Sequence, residues 1–303
     1  MASITTAVAT VELAEMGTMS PHRSQIRMVG HSLLREPIAL VGLFIVLGWL
    51  LLALLAPILP LENPEFVQLD RKLQSPSLNH PFGTDDVGRD LVSRVIWAAR
   101  VSVPAGMLVV AVTVVIGCTI GAVAGFTGGW IDSLIMRICD AVLSFPSIIL
   151  AMSIAAARGG PGLSNAMIAV IIVLWPEYAR LMRGQVLTIK ENEFVTAAQS
   201  MGMPSRRILF RHILPSTDAP IVVKATLDVG AAIVLTAGLS FIGIGAVPPT
   251  AEWGAMINQG AKVGLQYWWY STFPGIAILT VVMGLNFFGD GLRDALDPRR
   301  RTR

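Results

Sequence analysis

Long runs of uncharged, apolar residues dominate this chain of 303 residues and limit the folds open to it. A helix needs about 20 apolar residues to cross the hydrocarbon core of a bilayer. Six runs reach or approach that length, and we expect their helical parts at residues 38–59, 101–126, 140–158, 163–177, 221–247 and 272–289. The sequence therefore predicts an all-α, polytopic membrane protein with six transmembrane helices.

The low charge of the chain excludes most other classes of protein. Charged residues make up 14% of it, against roughly 25% in an ordinary soluble domain. The two cysteines are too few for a disulfide scaffold. The net charge of +3 does not predict nucleic-acid binding, because the lysines and arginines are split among short segments between apolar runs.

The lysines and arginines also predict how the chain is oriented in the membrane. With the N-terminus inside, the inner segments hold 15 of these residues and the outer segments hold seven. Because positive charge is enriched in cytoplasmic loops, we expect both termini in the cytoplasm. The predicted organisation is an N-terminal segment (1–37) with an interfacial helix, a six-span membrane domain (38–289) with a long inner loop (177–220), and a C-terminal tail (290–303).

No residue pattern predicts catalysis or a bound cofactor. The four histidines, His22, His31, His80 and His212, are far apart, and none of the lysines follows a glycine as in a phosphate-binding loop. We therefore expect no catalytic residue, no metal and no cofactor on this chain. If ATP and Mg²⁺ drive the protein, partner subunits bind them.

The inner loop contains a segment able to form two short helices. Glu193 to Met201 fits a first helix that ends at Gly202, which tolerates a left-handed conformation. Pro204 suits the first turn of a second helix, which Pro215 ends. Physical reasoning leaves two alternatives open for residues 193–215: a compact knob, which is the name used below, and an ordinary solvated basic loop.

The knob resembles the "EAA" loop of ABC importer permeases. Residues 196–202 and Leu214-Pro215 align with Glu-Ala-Ala, three residues, Gly, nine residues and Ile-x-Leu-Pro, except that Thr196 replaces the glutamate and His212 the isoleucine. The resemblance implies that the knob contacts the ATPase subunits. The implied coupling residues are Phe194, Thr196, Ala197, Ala198, Met201, Gly202, Arg206, Arg207, Leu214 and Pro215.

Three further stretches narrow the resemblance to the C-type permease subunit of the dipeptide, oligopeptide and nickel importers. They are residues 80–94, 239–254 and 289–299. The first contains a motif expected outside the membrane, formed by Gly83, Thr84, Asp85, Gly88, Arg89 and Asp90. From the residues alone, a cap folded by its own ion pairs is favoured over direct contact with substrate.

Two features of the spans carry specific expectations. Gly117, Gly121 and Gly125 place a small face along the second span and predict close helix packing. Lys224 and Asp228 are four residues apart in the fifth span, so they can neutralise each other or take part in a transport path. In the resembling importers the fifth span lines that path, so the implied path residues also include Thr236 and Ser240.

The resemblance implies a type I ABC importer permease fold and transport by alternating access. The substrates would be di- or oligopeptides or related solutes such as nickel chelates. The implied partners are a second homologous permease subunit, two ABC ATPase subunits and an extracytoplasmic solute-binding protein, in the lipid bilayer of the inner membrane. A secondary carrier and a membrane-embedded enzyme are the rival classes. Spans one, two, three and six have no carboxylate in their interiors, and the chain has no second copy of its pattern, as the first class would need. It also lacks the convergent nucleophile or metal set of the second class.

Overall fold

A computed structural model describes residues 36–296 of the chain. The predicted interfacial helix within residues 1–37 and the last residues of the tail lie outside the described residues. Within residues 36–296 the structure is helical, with one isolated β-bridge between Thr84 and Asp90. The helices are α1 (Pro37–Leu55), α2 (Leu91–Thr127), α3 (Gly129–Leu143), α4 (Ser147–Ala157), α5 (Leu163–Lys190), α6 (Glu193–Ser200), α7 (Ser205–Ile208), α8 (Asp218–Ile242), α9 (Trp253–Val263) and α10 (Trp268–Leu296).

Five of the six predicted spans correspond to single long helices. These are α1, α2, α5, α8 and the last helix, α10 together with the 3₁₀ turn before it, and each is long and apolar enough to cross a bilayer. The all-α fold class is confirmed, and residues 36–296 contain five helices that could cross a bilayer, or six spans if a bent pair of helices counts as one.

The third predicted span, at residues 140–158, is wrong as a single helix. It divides between α3 and α4, whose axes differ by 95°. Pro146 lies at the break and causes it, since proline donates no backbone hydrogen bond and disfavours helical geometry in the residue before it. The 11 residues of α4 extend only about 16 Å, so the crossing at this place requires both helices.

Several helices continue beyond the uncharged runs that predicted them. The helix of the second predicted span, α2, begins at Leu91, where the Asp90 side chain accepts a hydrogen bond from the Ser93 amide. The helix of the fourth predicted span, α5, continues through Glu177 to Lys190, so the first part of the predicted inner loop is helical. The helix of the fifth predicted span, α8, ends earlier than predicted, at Ile242, because Gly243 is in the left-handed conformation that terminates helices.

The glycine face predicted in the second span packs closely against α5, as expected. A Cβ atom added to Gly117 would lie 2.6 Å from the carbonyl oxygen of Trp175. Gly121 meets the backbone of Ala179 and Gly125 the backbone of Arg183. Because no side chain separates the two backbones, α2 and α5 form a rigid pair at the centre of the protein.

Three groups of buried apolar residues hold the helices together. One joins α1, α2, α9 and α10 around Trp253 and Tyr270. A second joins α2, α4, α5 and α8 around Tyr178. The third lies where α5 meets the knob and includes Val186 and Ile213. The knob is therefore packed directly onto the ends of the long helices.

Candidate functional site

The knob is a compact helical unit, as the first of the two alternatives predicted. Its first helix, α6, ends at Ser200, and Gly202 has a φ of +75°, as expected for the residue after a helix end. The second helix is less regular than predicted: α7 is followed by a π-helical turn (Leu209–Ile213) and a 3₁₀ turn (Leu214–Ser216). Pro215 accounts for this change, because it cannot donate a hydrogen bond to the carbonyl of Arg211. Pro204 is the N-cap of α7 rather than part of its first turn.

One face of the knob is buried against the long helices. Val195 and Ile213 are completely buried, and Ala198, Ile208 and Leu209 are nearly so. They pack against apolar residues of α5 and the start of α8, namely Met182, Val186, Ile189 and Ile221. Burying each large side chain contributes roughly 1.5 to 3 kcal/mol. A solvated basic loop would not have such a base, so the knob is a packed extension of α5 and α8.

The opposite face of the knob exposes large apolar side chains. Phe194 is 46% exposed, Phe210 65% and Met201 77%. Arg206, Arg207 and Arg211, which flank Phe210 in sequence, are also exposed. Exposed large apolar side chains together with arginine are common at sites for protein partners.

The predicted coupling residues divide between these two faces. Most are on the exposed face, including Thr196, Ala197, Gly202 and Pro215, whereas Ala198 is buried and Leu214 is half-buried. Sequence reasoning missed Phe210. The sequence could have indicated its exposure, because Phe210 lies between Arg207 and Arg211 and outside the apolar positions that form the buried side of the second helix.

At the other end of the long helices, the predicted cap is folded by its own ion pairs. The carboxylate of Asp85 accepts hydrogen bonds from the amides of Val87 and Arg89 and lies 2.6 Å from Arg89 Nε. The Arg94 side chain, which is fully buried, approaches it to 3.5 Å. His80 Nδ1 lies 3.0 Å from the carboxylate of Asp90.

Two glycines and two aromatic residues fix the cap in place. Gly83 and Gly88 both have positive φ, and a Cβ atom at Gly83 would lie 2.6 Å from the backbone oxygen of Gln74. Trp269 donates a hydrogen bond to the carbonyl of Thr84, and the Tyr270 hydroxyl lies 3.0 Å from Asp86. The cap is thus fastened to α10, a contact that the sequence did not predict.

The predicted pair of Lys224 and Asp228 is confirmed, and it has a third member. Lys224 Nζ lies 2.9 Å from Asp228 Oδ2 and 2.7 Å from Oε2 of Glu177, which belongs to α5. Sequence reasoning used Glu177 only as the end of an uncharged run. This charged cluster of Glu177, Lys224 and Asp228 therefore joins two long helices.

The charged cluster borders a cavity of about 590 Å³. The cavity is lined by Leu181, Gln185, Ser216, Ala219, Pro220, Val223, Lys224, Leu227, Asp228, Arg293 and Leu296. The structure does not bring Thr236 and Ser240 to this cavity. Both are buried within the chain, and Ser240 accepts a hydrogen bond from the Ala246 amide. Their role in a path stays a prediction.

Residues 36–296 contain no group of histidines, cysteines and carboxylates that could hold a metal ion. The two surfaces of interest are the exposed face of the knob and the cavity beside the charged cluster.

Comparison with known proteins identifies the family. Residues 117–302 match the family model described as "Binding-protein-dependent transport system inner membrane component". The chain is 44% identical over 284 residues to the dipeptide transport system permease protein DppC of Alkalihalophilus pseudofirmus, covering 94% of this chain and 92% of the relative. It is 45% identical to the probable D,D-dipeptide transport system permease protein DdpC of Escherichia coli, covering 87% and 88%.

A third relative has a different named substrate. The glutathione transport system permease protein GsiD of Pectobacterium atrosepticum is 40% identical, over 89% of each chain. These matches cover most of the chain, and the helical fold with several candidate membrane spans is consistent with the membrane proteins that they name. The chain belongs to the family of binding-protein-dependent transport system inner membrane components, and it is a multi-pass, non-catalytic permease subunit of an ABC importer.

Proposed function

We propose that this permease subunit moves di- or oligopeptides, or closely related solutes, into the cell by alternating access. Its relatives are named as permeases for dipeptides, D,D-dipeptides and glutathione, which all contain peptide or peptide-like bonds. Nickel chelates are the second class that the sequence resemblance implies. The common peptide character of the relatives favours the first class.

The observation that carries the proposed mechanism is the two-faced knob. Its exposed face, with Phe194, Met201 and Phe210, offers apolar anchors to a groove on an ATPase subunit. Its buried face is packed on α5 and α8. Closure of the ATPase subunits would therefore displace these helices as a unit, since close-packed interiors transmit movement rather than absorb it.

Ionic contacts extend this unit to the neighbouring helices. Arg183 of α5 makes two short hydrogen bonds, 2.5 and 2.6 Å, to the carboxylate of Asp132 in α3. Lys190 donates a hydrogen bond to the carbonyl of Phe126 at the end of α2. With the glycine contacts between α2 and α5, these bonds link the knob to three long helices and to the bent pair.

Membership of the family supports the partners that we propose. Two ATPase subunits bind ATP and Mg²⁺ below the membrane, a second homologous permease subunit completes the path, and a solute-binding protein delivers substrate from outside. The excess of lysine and arginine near the knob supports its placement in the cytoplasm, with both termini on the same side. The cap then faces the solute-binding protein.

The test compares matched truncations of exposed phenylalanines. Phe210→Ala should weaken co-purification of the ATPase subunits by about tenfold or more, as expected for a buried aromatic anchor at an interface. Phe66→Ala removes a side chain of similar exposure, 55%, that lies in the segment before the cap, and should leave co-purification unchanged. Equal ATPase recovery from both variants would contradict the docking role, and absence of ATP-dependent peptide uptake by the reconstituted importer would contradict the substrate.

A further inference from the structure

The charged cluster lies well inside two long helices. Glu177 is the fifteenth of the 28 residues of α5, which places it roughly 20 Å from either end. Asp228 is the eleventh residue of α8, about 15 Å from its first residue. Ionisable side chains within or beside apolar spans are costly, and they commonly belong to transport paths.

The charges of the cluster do not balance. One ammonium group, that of Lys224, lies between two carboxylates, at 2.7 and 2.9 Å. A structural ion pair between α5 and α8 would need one carboxylate only. The second carboxylate leaves the cluster with a net negative charge, which favours a further cationic group.

A fully buried tyrosine, Tyr178, lies beside the cluster. Tyr178 follows Glu177, and the centroid of its ring lies 5.2 Å from Lys224 Nζ. Its hydroxyl makes no hydrogen bond of good geometry among the described residues, and it lies beside the carboxylate of Asp228. Buried polar groups are normally paired, and an aromatic ring next to an ammonium adds a favourable cation–π contact. Both features suit a site that a polar, cationic ligand enters.

The cavity gives such a ligand access and space. Lys224 and Asp228 lie in its wall, and residues near the start of α8 and the end of α10, from Ser216 to Pro220 and from Arg293 to Leu296, contribute the rest of the lining described above. Its volume of about 590 Å³ is within the range of small-molecule sites. Arg293 adds a cation to the lining, so the cavity offers groups of both signs to a zwitterion.

We propose that Glu177 and Asp228 bind the α-ammonium group of a peptide during its passage, and that Lys224 occupies this position when no peptide is present. This inference rests on the proposed function and names the end of the substrate that the path recognises. The ε-ammonium of lysine and the α-ammonium of a peptide both donate three hydrogen bonds, so one can replace the other between the two carboxylates. The flexible side chain of Lys224 allows the exchange.

The experiment uses the complete importer in nanodiscs, without nucleotide and without the solute-binding protein. Equilibrium binding is measured for radiolabelled alanyl-alanine and for its N-acetyl derivative, which lacks the ammonium group. The wild-type importer should bind the free dipeptide at least tenfold more tightly than the acetylated one. Glu177→Gln should reduce this ratio to threefold or less, and Lys224→Met should tighten binding of the free dipeptide several-fold, because the internal competitor is removed.

Glu62→Gln is the matched control. It removes a carboxylate from the exposed ion pair with Arg71, away from the cavity lining, and should leave the ratio at its wild-type value. A wild-type importer that transports peptides but binds both dipeptides equally, or a Glu177→Gln variant that keeps the full ratio, would overturn the inference and leave the proposed function standing. Loss of binding in Lys224→Met would show a structural ion pair and would also overturn it. Failure of the wild-type importer to transport any peptide would refute the proposed function itself.

Discussion

Gly202 joins the two short helices of the knob in a left-handed backbone conformation, with a φ of +75°. A Cβ atom at this position would meet nothing within 4 Å. The cost of a substitution is therefore conformational rather than steric. A side chain branched at Cβ costs about 1 to 2 kcal/mol in this conformation. Gly202→Val should therefore lower the equilibrium constant for the native geometry of the knob, relative to distorted geometries, by a factor of roughly 5 to 30.

The expected result is a loss of coupling without a loss of the membrane fold. The base of the knob remains packed through Val195 and Ile213, so insertion and pairing with the second permease should continue. The exposed face, however, would no longer present both helices at one angle. ATPase subunits should co-purify at a reduced level, and substrate-stimulated ATP hydrolysis in reconstituted membranes should fall by a similar factor.

Two control variants separate conformation from side-chain size. Gly202→Asn should retain most of the wild-type docking, because asparagine tolerates the left-handed conformation. Gly184 is exposed in α5, also meets nothing within 4 Å and has no positive φ, so Gly184→Ala should have no effect on docking. Wild-type docking and stimulation in Gly202→Val would refute the reasoning, as would an equal defect in Gly202→Asn.

The remaining predictions concern the cap and the topology. Asp85→Ala leaves Arg89 and the fully buried Arg94 without their carboxylate, and should lower the free energy of unfolding, measured by thermal unfolding, by about 3 to 5 kcal/mol. Glu62→Ala, which breaks the exposed pair with Arg71, should lower it by less than about 1 kcal/mol. Similar losses in the two variants would contradict the structural role of the cap. For the topology, single cysteines replacing Ser77 and Ser200, in a background with Cys118 and Cys139 changed to alanine, should differ in labelling by an impermeant thiol reagent added from outside. Ser77→Cys should label and Ser200→Cys should not, and the reverse pattern would exclude a cytoplasmic knob.

Much of the fold could be predicted from the sequence because the relevant information is local. The lengths of the apolar runs indicate where α1, α2, α5, α8 and α10 lie. The glycines at positions 117, 121 and 125 indicate a close contact, and Gly202 indicates the end of a helix. Asp85, Arg89 and Asp90 lie within six residues of one another, so their pairing in the cap depends on a short segment of chain.

The errors in the predicted helix ends arose because the length of an uncharged run was used both for the apolar length of a segment and for the length of its helix. An uncharged run measures the apolar length of a segment, whereas a helix continues until its backbone geometry or its caps end it. Helix α5 passes its charged residues without interruption, since Arg180 and Arg183 pair with carboxylates of α3. Pro146 divides the third run although that run contains no charge after Asp140 until Arg158.

The sequence by itself determined that this chain is a helical membrane protein with a basic inner segment able to form two short helices, because the lengths of apolar runs, the spacing of charges and the positions of glycines are local properties. Only the tertiary structure decided which side chains meet across helices. Glu177 joins Lys224 across 47 positions of sequence, Phe210 is exposed rather than buried, and Thr236 and Ser240 are enclosed. Each of these depends on how α5, α8 and the knob rotate when they pack, and helix rotation is set by the summed fit of all their neighbours.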